Sequence, residues 1–206
     1  MKPVSAAELR AALGGRTPRV SRWSLEGRSA AAVLVPLHEG AQGIEVWAIK
    51  RPDGLRHHPR EVAFPGGKPD PGDADLLATA LREFEEEIGI EAARLDYLGE
   101  LSPVPPATSR FLIHPFVACV KPGAPARPTP GEVAALIVAP LQDFYDGTIP
   151  FRGVDAGGYL SPIFEFEAGS MYGATAHVLE ELLQVYGELA GASLPAPLLT
   201  DVIPWQ

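Results

Sequence analysis

The 206 residues are 46% hydrophobic and 21% charged, enough for one domain with a full core, and the formal net charge of −9 lacks the basic footprint of a nucleic-acid binder. No apolar run nears the ~20 residues of a membrane span, and the N-terminal MKPVSAAELRAALGG has no apolar core of the kind a secretion signal carries, so neither membrane insertion nor export is expected. The one cysteine, Cys119, sits in the apolar run FLIHPFVACV and reads as a buried, inert thiol; with no internal disulfide to form, a cytoplasmic protein is expected.

In chain order, Ser5 to Leu13 predicts a short helix, with Ser5 and Glu8 as a capping box and Gly14-Gly15 as its stop. Residues 1–28 are read as an N-terminal helical extension, and no role is assigned to 16–29. SAAAVLVPL (29–37) predicts a buried strand, HEGAQG a hairpin-like connection, and IEVWAIKR (44–51) a second strand ending on Lys50 and Arg51. The glycine- and proline-bounded segment 52–67 gathers Arg56, His57, His58 and Arg60. His58 reads as structural or surface. The planar fork of arginine suits phosphate, so Arg51, Arg56, His57 and Arg60 are the substrate-binding candidates. Gly66 and Gly67 permit a close backbone approach, and a backbone carbonyl there is a candidate metal ligand.

Asp75 to Ile88 is predicted helical, capped by Asp73 or Asp75 and stopped by Gly89. At 100° per residue, Leu77, Ala80, Leu81, Phe84 and Ile88 share one arc, and Glu83, Glu86 and Glu87 share another beside it; Glu85 faces water. Like charges three and four apart cost a helix about 0.2–0.5 kcal/mol per pair. A divalent cation converts that repulsion into coordination, and hard carboxylate oxygens suit Mg²⁺ or Mn²⁺ shared with phosphate oxygens. Three glutamates alone more often make a solvated face. Arg82 before them, Gly89 after them and the loop FPGGKPDPGD upstream favour the metal.

Beyond this helix, 95–104 and 110–120 predict strands around a proline-rich turn, and 121–131 a loop. Residues 132–147 predict a strand, with Glu132 at its start, and then a short helix. A strand over 161–167 and a final helix over 171–191 follow, the latter with Ala176, Leu179, Leu182 and Leu183 as its core stripe; 192–206 is an uninterpreted tail. This order gives an α/β domain with helices on both faces of a mixed sheet.

The segment GGKPDPGDADLLATALREFEEEIGI resembles a Nudix box, G-x5-E-x7-R-E-U-x-E-E-x-G-U with U bulky and apolar. Arg82, Glu83, Phe84, Glu86, Glu87, Gly89 and Ile90 match its second half without a gap. The first half departs: Gly67 precedes Arg82 by fifteen positions where the pattern has fourteen, and Asp73 stands where it has glutamate. The early acid is therefore Asp73 or Asp75. Upstream, Arg51, Leu55, Arg56, His58, Val62, Phe64, Pro65, Gly66 and Gly67 resemble the stretch ahead of the box in the subfamily that hydrolyses coenzyme A, with Arg60 where that subfamily has glycine. MYGATA (171–176) resembles its WGATA-like helix start, with Tyr172 for tryptophan.

The resemblance implies a Nudix-type α/β/α sandwich with a mixed β-sheet between helices, and residues 1–206 as one domain. It implies a Mg²⁺- or Mn²⁺-dependent hydrolase. Glu83, Glu86, Glu87 and Gly67 are then its metal ligands, Arg82 orients a glutamate, and Glu86 or Glu132 is the base. The implied partner is a coenzyme A-like nucleotide cut to 3′,5′-ADP and 4′-phosphopantetheine, with no nucleic acid and no membrane; a homodimer stays open. The alternatives are ADP-ribose or another nucleotide as substrate, or a non-catalytic nucleotide-binding domain.

Overall fold

Two apolar runs joined by a tight turn start the fold. In the computed structural model, which describes residues 1–18, 27–53, 61–107, 109–155 and 157–202, β1 (Ser29–Gly40) and β2 (Gly43–Lys50) form an antiparallel hairpin. Leu37, His38, Glu39 and Gly40 pair with Val46, Glu45, Ile44 and Gly43, so the expected six-residue connection shrinks to Ala41-Gln42. His38, expected in the connection, instead extends β1 and faces Glu45 of β2 across the ladder, with Nδ1 and Oε2 3.3 Å apart.

Past Leu37 and Val46 the two strands separate. The gap is filled by β3 (Val62–Ala63) on Ile49 and Lys50 of β2, and by β4 (Gly66–Gly67) on Ala32 and Val33 of β1. The helix α2 (Leu76–Ile88) follows, then β5 (Leu95–Glu100), β6 (Phe111–Val120) and β7 (Ala135–Pro140). β6 lies parallel to β1 from Ser29–Phe111 to His38–Val120, β5 antiparallel to β6, and β7 antiparallel to the outer side of β2. The sheet is mixed, as expected. The predicted strand over 95–104 is shorter, with Val104 making one isolated bridge to Ile113.

A second sheet was not expected. After the short helix α3 (Asp143–Asp146), β8 (Phe151–Asp155), β9 (Leu160–Phe166) and β10 (Gly169–Tyr172) form a meander, and β11 (Leu198–Leu199) lies parallel to β8. Met171 and Tyr172 belong to β10 rather than to the final helix, α4, which spans Gly173–Ala190. The first helix, α1 (Ala6–Gly14), has the Ser5/Glu8 capping box.

Strand alternation sorts the core onto two faces. On one face, Ala32, Leu34, Trp47, Ile49, Phe116, Ala118 and Val120 meet Ala80, Phe84 and Ile88 of α2. On the other, Val35, Leu37, Val46, Ala48, Val117 and Cys119 share a core with Leu9 and Leu13 of α1, Phe164, Met171, and Leu179, Leu182 and Leu183 of α4. This is an α/β sandwich with helices on both sides of a mixed sheet. Burial lifts the Cys119 thiol to about 11, so it is inert. Among the described residues no helix is long and apolar enough to cross a membrane.

Candidate metal and diphosphate site

The loop between β4 and α2 brings backbone and carboxylates into close approach. Gly66 has φ 158°, and a Cβ there would lie 2.3 Å from the Ala32 carbonyl oxygen. A Cβ on Gly67 would lie 2.2 Å from Glu83 Oε1, so the absent side chain leaves the space that this carboxylate occupies. The Gly66 N–H donates to Glu87 Oε2 at 3.2 Å.

The two early acids take different tasks. Asp75 is the N-cap of α2 and accepts from the Ala78 N–H at 2.8 Å. Asp73 grips Arg82: Nε donates to Oδ1 and Nη2 to Oδ2, both at 3.1 Å. Thr79 Oγ1 and the Asp70 N–H also donate to Asp73 Oδ2, at 2.8 and 2.9 Å. The Arg82 bonds, then the Asp70 N–H, hold the Asp73 carboxyl well below the usual carboxylate range. Asp73 thus holds the arginine from six residues after Gly67 and nine before Arg82, and the longer loop carries it there.

Held in this way, Arg82 reaches the acidic ridge. Its Nη1 donates to Glu83 Oε1 at 3.0 Å and to Glu86 Oε2 at 3.1 Å, while Nη2 also donates to the Lys68 carbonyl at 3.1 Å. The ridge grades from wet to dry. The Glu86 side chain is 53% exposed and that of Glu83 19%, while Glu87 as a residue is 7% exposed. Burial raises the pKa of Glu83 against the pull of Arg82. It raises Glu87 to about 7: the Gly66 N–H and Arg51 pull it down, and Glu83 and Glu132 push it up. Glu85 is exposed, as expected.

A strap that the sequence did not disclose closes the far end of α2. Gly89, with φ 73°, ends the helix, and its N–H donates to the Glu85 carbonyl at 2.9 Å. The Arg127 N–H then donates to the Ile88 carbonyl at 2.8 Å and the Thr129 N–H to the Glu87 carbonyl at 2.9 Å, while Thr129 Oγ1 donates to the Glu86 carbonyl. Nothing in the Pro/Gly-rich 121–131 marked these residues. The strap delivers Glu132 close enough to push on Glu87. Glu132 is exposed and sits in a turn before β7 rather than at the strand's start.

Of the four cationic candidates, Arg51 is described, and Arg56, His57 and Arg60 lie outside the described residues. Arg51 follows β2, and its N–H donates to the Glu61 carbonyl at 3.0 Å. Its Nε is buried with no hydrogen-bond partner among the described residues, and its charge acts on Glu87. A dry, unpaired guanidinium nitrogen beside a metal-type carboxylate is suited to a phosphate oxygen.

Among the described residues no three of His, Cys, Asp and Glu converge as they stand into a cation cage. Arg82 draws Glu83 and Glu86 to itself, and Glu87 turns to the Gly66 N–H. The donor set itself fits a hard divalent cation: three carboxylates on one ridge, one of them dry, above a glycine that leaves room for Glu83.

Residues 28–155 match the family model of the NUDIX domain. The chain is 34% identical over 177 residues to the uncharacterized Nudix hydrolase NudL of Cronobacter sakazakii, covering 83% of this chain and 89% of that protein. It is 37% identical over 160 residues to the protein of the same description in Yersinia enterocolitica, covering 75% and 80%. Among solved structures, it is similar to a C. elegans Ap4A hydrolase binary complex, at 22% identity and TM-score 0.47 over 56% of this chain and 82% of that one. It is also similar to the NUDIX domain of Shewanella oneidensis NrtR complexed with ADP ribose, at 18% identity and TM-score 0.46 over 65% and 83%.

Proposed function

The chain belongs to the NUDIX domain family, and from that premise we propose that it hydrolyses the diphosphate of coenzyme A or an acyl-coenzyme A with a divalent cation, Mg²⁺ or Mn²⁺. The observation that carries this reading is the dry end of the acidic ridge: Glu87, its pKa raised by burial to about 7, feels the charge of Arg51, whose buried Nε has no hydrogen-bond partner among the described residues. Glu83, Glu86 and Glu87, with the Gly67 carbonyl, would hold the cation. When bound there it supplies Lewis-acid polarisation of a phosphoryl oxygen and neutralises developing negative charge.

The chain's own groups do the rest. Asp73 fixes the Arg82 fork, and Arg82 keeps Glu83 and Glu86 aimed along the ridge. Arg51 takes a phosphate oxygen of the substrate. The proton of the attacking water goes to Glu132, which lies outside that set, or to Glu86 where Glu83, Glu87 and the Gly67 carbonyl alone hold the cation. Water's oxygen bonds to phosphorus as the bridging P–O bond breaks, giving 3′,5′-ADP and (acyl-)4′-phosphopantetheine. The choice of coenzyme A rests on the block from Arg51 to Gly67 and on the MYGATA helix start. A domain that only binds nucleotide would not need Arg82, Glu83, Glu86 and Glu87 all present.

The test is product analysis after incubation with Mg²⁺ and coenzyme A, ADP-ribose, a dinucleoside polyphosphate or a nucleoside triphosphate, beside a chelated control. Formation of 3′,5′-ADP only with metal is expected. Much faster turnover of ADP-ribose would remove coenzyme A as the substrate and keep the reaction class; no turnover of any of them would remove the enzyme.

A further inference from the structure

Tyr172 ends β10 and stands at the N-cap of α4, but its side chain makes no cap hydrogen bond. Its hydroxyl instead donates across the molecule to the carboxylate of Glu61, 111 residues away in sequence. The phenol pKa is raised, by burial first and by Glu61 second, so the proton stays on Tyr172 and the hydroxyl remains the donor at neutral pH. Glu61 immediately precedes β3, which packs against β10. The Glu61 carbonyl accepts the Arg51 N–H at 3.0 Å, and the next rung of the same ladder pairs Val62 with Lys50. One residue therefore receives the second sheet through its side chain and fixes Arg51 through its backbone. A phenylalanine at 172 would fill the same space with no donor, so the hydroxyl adds an attachment that packing alone does not supply.

We propose that Tyr172 and Glu61 are a positioning pair for the diphosphate site: the second sheet, through this hydrogen bond, sets where Arg51 presents its guanidinium beside Glu87. The inference rests on the reading of Arg51 as a phosphate contact. Neither partner touches substrate in this account; both act through Arg51.

The test uses the full chain with Tyr172→Phe, Glu61→Ala, Glu61→Gln and the Tyr172→Phe/Glu61→Ala double variant. Two quantities are measured: exchange of the Arg51 amide hydrogen, and KM and kcat for whichever diphosphate substrate the wild type hydrolyses. Tyr172→Phe should make the Arg51 amide exchange faster. It should also raise KM roughly five- to tenfold, part of what a hydrogen bond to a charged group is worth, with kcat nearly unchanged. Glu61→Ala should do the same, and the double variant should be no worse than either single one. Glu61→Gln keeps an acceptor oxygen and should restore a near-wild-type KM. Unchanged Arg51 exchange in Tyr172→Phe overturns the pair whatever the substrate is. Faster exchange with unchanged KM makes the pair a strut and overturns its positioning role, as do additive effects in the double variant or a Glu61→Gln KM as high as that of Glu61→Ala. If the wild type hydrolyses none of the substrates, the enzyme reading falls, and Arg51 exchange alone decides whether the pair anchors that residue.

Discussion

At Glu87 a carboxylate with little access to water keeps, among the described residues, one backbone donor, the Gly66 N–H, and its pKa rises from the ordinary 4.5 to about 7. Without metal the folded chain therefore binds this proton more tightly than the unfolded chain does. The resulting stabilisation is complete below pH ~4.5 and is lost as pH rises through about 7, a swing of about 3 kcal/mol at ~1.36 kcal/mol per pKa unit. In a chelator, the wild-type Tm should fall relative to that of Glu87→Gln between pH 5 and 7.5, because the amide has no charge to bury. Mg²⁺ at neutral pH should raise the wild-type Tm and leave that of Glu87→Gln nearly unmoved, since a ligand that binds only the folded state stabilises it. A pH-independent difference between the two proteins would mean that Glu87 is ionised and solvated across the range. The same substitution should lower turnover about 10²–10³-fold in a protein that still folds, the scale set by losing one electrostatic contact to the reacting phosphoryl group. Unchanged turnover would take Glu87 out of the chemistry.

At the scale of the element, α2 and its flanks act as one device, and two neighbouring aspartates separate stability from alignment. Asp75→Ala removes the N-cap bond to Ala78 and should cost about 1 kcal/mol in denaturant unfolding while turnover persists. Asp73→Asn keeps the volume but loses the charged grip on Arg82, so turnover should fall about 10–100-fold and more Mg²⁺ should be needed, as when a residue behind a metal ligand is lost. If both variants lost turnover equally, the loop would be a single structural unit and Asp73 would have no separate role. The helix was legible in the sequence because its period is local: Phe84 and Ile88 are fully buried and Glu85 is exposed, as 100° per residue requires. The flanks were not. Thr129 reaches Glu86 from 43 residues away, and Tyr172 reaches Glu61 from 111, with no spacing in between to announce either contact. β3 and β4 span two residues each, too few for an alternation to show, and a Gly-Gly strand runs against β propensity; register with Ala32 and Val33 holds it. The choice between Asp73 and Asp75 depended on where the Arg82 fork points, which helical spacing does not specify.

Over the whole molecule, the two faces of the larger sheet divide the labour. The α2 face carries the acidic ridge, and the opposite face draws much of its core from outside the span that matches the family. Residues 28–155 include the larger sheet, α2 and β8, but α1, β9, β10 and α4 lie beyond that span. Those outer elements bring Leu9, Phe164, Leu179, Leu182 and Leu183, all fully buried, with Leu13 and Met171 nearly so. Each such side chain contributes about 1.5–3 kcal/mol on burial, against a typical net stability of about 5–15 kcal/mol for a whole domain. Removing them would also bare Val35, Leu37, Val46, Ala48 and Val117 as a continuous apolar face of the sheet. The fragment 28–155 alone should therefore bind a hydrophobic dye and melt without a cooperative transition, whereas the full chain should give one sharp transition. Leu9→Ala in the full chain should cost about 2–5 kcal/mol in denaturant unfolding without shifting the KM of the protein that remains folded, because α1 packs on β5 and α4, on the face away from α2. A cooperative melt from the fragment would mean that the core under α2 suffices to hold the sheet, and that the outer helices and second sheet are additions to an independently stable unit.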